Sequence, residues 1–164
     1  MDWMARGRLL VTFAIIGLPI ACGGGGNSTT PLTIRGSWET YVRVDCAKGH
    51  QCRDSYPGTQ ADFEYDYGTS VADCTTELDS AEFAVTVTAY EDAAANGRLT
   101  YDAAKAKTCF DAWAAQACGP YWNGDDASPT CDMIFKGTVP TGGACTIPDE
   151  CVSASCTVPQ MTCG

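Results

Sequence analysis

The cysteines constrain this chain more than any other feature. There are eleven in 164 residues: Cys22, Cys46, Cys52, Cys74, Cys109, Cys118, Cys131, Cys145, Cys151, Cys156 and Cys163. Outside the cytoplasm thiols oxidise, so such a set reads as a disulfide framework. Each bridge typically contributes ~2–4 kcal/mol, largely by restricting the unfolded chain. An odd count cannot pair completely. One cysteine must serve another purpose, and the amino terminus suggests which.

Arg6 and Arg8 precede an apolar run from Leu9 to Ile20, about 12 residues long. That matches the core of a signal peptide and falls short of the ~20 residues a helix needs to cross a bilayer. The run ends Leu18-Pro19-Ile20-Ala21-Cys22. A small residue before Cys after such a core resembles the lipobox of bacterial lipoproteins, with Pro19 where that motif usually has Leu. An ordinary cleaved signal would show a small-x-small site around Ala21, which is missing. The resemblance implies that residues 1–21 are removed and that Cys22 is lipidated, so the chain reaches a membrane through lipid. It also implies an outer-membrane lipoprotein of the bacterial cell envelope, because Gly23 stands where an Asp would favour inner-membrane retention. Lipid on Cys22 leaves ten cysteines, enough for five bridges. Their pairing stays open among about 945 possibilities.

Removal of residues 1–21 takes away Asp2, Arg6 and Arg8, leaving eight basic and nineteen acidic residues and a net charge of −11. Such a surface repels nucleic acid and anionic headgroups. It favours solubility and leaves cations, basic proteins or neutral glycans as partners. Residues 22–34 combine Cys22 with a Gly/Asn/Ser/Thr leash whose reach is roughly 5–6 Å times the square root of its length.

The folded part is expected to be mainly α: a small disulfide-rich domain of three or four short helices over residues 35–120, followed by a loop-rich cysteine module over 121–164. Trp38, Tyr41, Val42 and Asp45-Cys46 suit a short first helix capped by Ser37. Gly49, Pro57, Gly58 and Gly68 punctuate residues 48–68, which read as loops. Thr69 or Ser70 suits the cap of a second short helix carrying Val71, Cys74 and Leu78. Between Ser80 and Asn96, Phe83, Val87, Tyr90 and Ala94 form a helical stripe ending at Gly97, a residue suited to a left-handed cap. Asp102 opens a run whose stripe is Ala106, Cys109, Phe110, Trp113, Ala114 and Ala117. From Cys131 onward five cysteines, four glycines and three prolines leave little core.

The run Gly97-Arg-Leu-Thr-Tyr-Asp102 with Cys109, Trp113, Cys118 and Cys131-Asp-Met-Ile-Phe-Lys-Gly-Thr138 resembles a family of cysteine-rich lipoproteins from myxobacterial-type genomes. The end of the chain, Gly143-Ala-Cys145, Asp149-Glu-Cys151, Cys156 and Cys163, fits that family's closing segment. It is also similar to the cysteine-rich module of Dickkopf and colipase proteins. The resemblance rests on cysteine spacing and implies no activity.

Few residues suggest chemistry. Cys46, His50, Cys52 and Cys74 could surround zinc, but their spacing is not that of a zinc site and disulfides compete for the thiols. Asp62, Glu64, Asp66 and Asp73 echo a calcium loop, with Tyr67 where the sharp-turn Gly is needed. His50 is the single histidine and no nucleophile elbow occurs, so no catalytic residue and no cofactor are expected. Carboxylate pairs for a secreted hydrolase and a calcium-dependent adhesion module are the alternatives to a binding or structural role. Tyr121-Trp122 and Tyr65 with Tyr67 read as loop aromatics suited to protein or glycan contacts.

Overall fold

The computed structural model describes residues 31–164. The signal segment, Cys22 and nearly all of the leash lie outside the described residues. The fold is mainly helical and cross-linked by five disulfides. Six α-helices occur among the described residues, because two stretches read as loop are helical.

The first helix, α1, spans Ile34–Gln51 and is much longer than the sequence suggested. Its cap is Thr33, whose hydroxyl accepts from the Gly36 amide at 3.0 Å. Ser37, expected as the cap, is buried inside the helix and hydrogen-bonded to the Tyr101 hydroxyl. Gly49 does not break α1. A Cβ there would come within 2.5 Å of the Tyr67 ring, so this glycine lets the next helix pack close. That helix, α2 (Gln60–Tyr67), lies in the stretch expected to be loops. Thr59 and Asp62 form a reciprocal capping box at its start, and Phe63 is buried. Gly68, at φ 68°, ends it.

Ser70 caps α3 (Val71–Cys74), which runs into a 3-10 turn at Thr75–Asp79. Ser80 caps α4 (Ala81–Ala95), where Phe83 and Val87 face the core. Gly97 is left-handed there, as expected. Strand β1 (Leu99–Tyr101) follows, then α5 (Ala103–Ala115), capped by the Asp102 carboxylate on two backbone amides. A short α6 (Cys118–Trp122) closes the helical part. Strand β2 (Phe135–Gly137) returns antiparallel to β1, setting Leu99 opposite Gly137 and Tyr101 opposite Phe135. The last segment is a small hairpin of β3 (Cys156–Thr157) and β4 (Thr162–Cys163).

Helix α1 packs against α3, α4 and α5. One core cluster joins Val42, Cys46, Cys74, Phe83 and Val87; a second joins Ala106, Cys109, Phe110 and Ile134. The third, in the terminal module, is Val139 with Cys145, Cys151 and Cys163. There sulfur does the work of aliphatic side chains. The pairs are Cys46–Cys74, Cys52–Cys118, Cys109–Cys131, Cys145–Cys156 and Cys151–Cys163. Cys109 lies on the apolar face of α5, so its bridge pins that helix to the segment leading into β2. No helix among the described residues is long and apolar enough to cross a membrane.

Candidate functional site

Both metal arrangements suggested by the sequence come apart. Cys46, Cys52 and Cys74 are all in disulfides, so none offers a thiolate to zinc. His50 hydrogen-bonds the Tyr67 carbonyl at 3.1 Å and packs edge-on against Phe63. The calcium loop is corrected likewise, because Asp62, Glu64 and Asp66 lie on a helix, where successive side chains fan outward. Asp62 serves the capping box, Glu64 pairs with Arg53, and Asp66 accepts from the Tyr56 hydroxyl at 2.8 Å. Asp73 accepts from the Thr69 amide. Among the described residues one group of potential ligands does converge, the sulfurs of Cys145, Cys151 and Cys163 within 4.8 Å. All three are in disulfides.

The loop aromatics also change character. Tyr121 and Trp122 belong to α6 and pack inward. The Tyr121 hydroxyl lies 2.7 Å from Asp45 Oδ1 and 3.1 Å from the Tyr67 hydroxyl, and the Trp122 indole donates to the Cys52 carbonyl at 3.0 Å. Burial pushes the Tyr121 hydroxyl's pKa up, and the Asp45 charge adds to that. Tyr67 stacks on Phe63, whereas Tyr65 stays exposed.

Two polar features that sequence reasoning missed remain. The first is Glu150, a carboxylate only 1 % exposed. Arg98 grips it through Nε to Oε1 and Nη2 to Oε2, each at 2.9 Å, and Thr146 donates from its amide (2.7 Å) and hydroxyl (3.0 Å). The Arg98 hydrogen bonds outweigh burial and hold this carboxyl at about 2. Asp62 and Asp102 are lowered too, each first by hydrogen bonds within its helix cap. These three shifts belong to an ion pair and two caps, and none supplies the raised acid that glycoside hydrolysis requires.

The second is a groove of about 260 Å³ between α1 and α5. Arg43, Val44, Ala47, Lys48 and Gln51 line it from α1, and Ala114 faces them from α5. Lys48 is 4 % exposed, and its ammonium donates to the Ala114 carbonyl at 3.2 Å and to Gln51 Oε1 at 3.3 Å. With Thr40 the α1 residues fall at i, i+3, i+4, i+7, i+8 and i+11, one helical face. That periodicity stands in the sequence, but it becomes meaningful only once α1 is known to continue past Cys46.

No protein-family model, no curated protein and no solved structure matches this chain.

Proposed function

We propose that this protein is exported, lipidated on Cys22 and held at the bacterial outer membrane as a compact binding or structural scaffold. The observation that carries the proposal is cysteine bookkeeping. Five bridges use ten of the eleven cysteines, and the eleventh is Cys22, inside the lipobox-like sequence. A framework of five disulfides fits an oxidising compartment, which agrees with the signal-like amino terminus. The cysteine spacing that resembles lipoproteins of myxobacterial type supports the same reading, as does a Gly-rich leash next to Cys22. The partner in this proposal is a protein or a glycan presented at the envelope.

The test is the intact mass of the protein purified from its own host's membranes, recorded natively and again after reduction and alkylation. The expected mature chain starts at Cys22 with two or three acyl chains and lacks ten hydrogens relative to its reduced form. An unlipidated amino terminus, or free thiols in the native sample, would overturn the proposal.

A further inference from the structure

We infer that the groove between α1 and α5 is a binding site for a carboxylate carried on a short apolar stem. The argument starts from where the fold puts its cations. Residues 31–164 contain eight Lys and Arg side chains against nineteen Asp and Glu. With acids in such excess, a cation within reach of a carboxylate is readily paired. Arg35, Arg53, Arg98, Lys105 and Lys107 are paired, with Glu91, Glu64, Glu150, Asp102 and Asp111 respectively. Among the described residues, Arg43, Lys48 and Lys136 have no carboxylate within ion-pair distance. Arg43 and Lys48 line the same groove. Asp45, the acid nearest to them along α1, hydrogen-bonds Tyr121 instead.

Lys48 carries the chemistry. An ammonium has three N–H donors, and the protein supplies two acceptors, both neutral carbonyls. A buried cation with one donor left over and no counter-charge is poised for an anion. Arg43 adds a planar fork that matches a carboxylate, and the Gln51 amide still has N–H groups to donate, since its oxygen is engaged by Lys48. The walls from Val44, Ala47 and Ala114 are aliphatic, so the rest of the ligand is apolar. At about 260 Å³, roughly nine waters' volume at ~30 Å³ each, the groove has room for a four- or five-carbon acid with a few waters beside it. A single negative charge suits the site better than a dianion, because the surrounding net charge is strongly negative. The free acid and the carboxyl end of a peptide with a small aliphatic last residue offer the same chemistry.

The inference concerns the folded part and does not depend on lipid at Cys22. Its test is NMR titration of the oxidised protein with butyrate, n-butylamine and inorganic phosphate. A tetrapeptide ending in valine is titrated both as the free acid and as the amide. Butyrate or the free-acid peptide is expected to shift resonances of Arg43, Val44, Lys48, Gln51 and Ala114, saturating with a dissociation constant on the order of millimolar for so small a ligand. Response to butyrate identifies a free acid as sufficient; response to the peptide alone identifies a chain terminus. Lys48→Met keeps an unbranched apolar stem without the ammonium and should weaken binding at least about tenfold while the spectrum stays folded. Arg43→Ala, at an exposed position, should weaken it without touching the core. Four results would overturn the inference: no shifts, equal shifts with butylamine or the amidated peptide, stronger binding of phosphate than of butyrate, or undiminished binding by a folded Lys48→Met protein.

Discussion

Replacing Arg98 with Met should destabilise the protein by an amount that depends steeply on pH. Glu150 keeps its carboxylate at 1 % exposure because four hydrogen bonds meet it, two of them from Arg98. Its pKa falls from the ordinary 4.5 to about 2 in the folded state. A shift of that size corresponds to about 3 kcal/mol of stability. Because the folded pKa is the depressed one, that contribution is complete above pH 4.5 and fades as pH falls towards 2. In Arg98→Met the carboxylate stays buried with only Thr146 to meet it, and removing one partner of a buried pair costs about 3–5 kcal/mol. At pH 2 the carboxyl is substantially protonated and needs no cation, so the penalty shrinks by about 2–3 kcal/mol. The assay is urea unfolding of the oxidised wild type and variant at pH 7 and pH 2, followed by tryptophan fluorescence. Other carboxyls titrate over the same range, so the informative quantity is the difference between the two proteins at each pH. An equal penalty at both pH values, or none at pH 7, would refute the account.

Three further outcomes follow from packing. Gly137→Ala should cost upwards of about 1–3 kcal/mol, because a Cβ there overlaps the backbone of Glu150 and Cys151. Gly119→Ala in α6 meets no atom within 4 Å and should be neutral or mildly stabilising; urea midpoints compare the two. Replacing Cys52 and Cys118 by Ala opens a loop of 66 residues and should cost about 4 kcal/mol, against about 3 kcal/mol for the 11-residue loop of Cys145 and Cys156. Thermal unfolding of the two double mutants should rank them in that order. Tyr121→Phe strips the hydroxyl between Asp45 and Tyr67 and should cost about 1–3 kcal/mol, detectable as a lowered melting temperature.

Much of the helical part was legible because its helices carry local signals. Ser70 and Asp102 cap where hydroxyl and carboxylate side chains are expected to, and the Phe83–Val87 and Ala106–Cys109–Phe110 stripes are buried. The errors have two causes. Glycine disfavours helix interiors, yet Gly49 sits inside α1 to admit the Tyr67 ring. The Thr59–Asp62 capping box was present between Pro57 and Gly68, but those flanks concealed the helix of eight residues that it starts. The disulfide set was readable from the cysteine count, whereas its pairing depends on which segments line up after folding. The groove beside Lys48 needed the full length of α1, because the residues contributing it extend from Thr40 to Gln51. Glu150 gave no warning at all: its partner lies 52 residues away on the approach to β1.

Glu150 also decides how the terminal module and the helical part depend on each other. The module has two bridges of its own, but the groups that meet the Glu150 carboxylate come from both sides, Arg98 from before β1 and Thr146 from within the module. The Glu150 carbonyl accepts from the amides of Thr138 and Val139 just past β2, and the neighbouring Asp149 takes the hydroxyl of Tyr90 on α4. Cys109–Cys131 and the β1–β2 pairing lie upstream of these contacts and do not use them. Losing Arg98 should therefore loosen the module first and leave the α1–α4–α5 packing in place. Hydrogen exchange distinguishes this from uniform destabilisation. In Arg98→Met the amides of Val139, Thr146 and Cys151 should lose protection by more than those of Val42 or Val87. Equal acceleration throughout would mean that the two parts unfold as one unit and that the buried ion pair is not the joint between them.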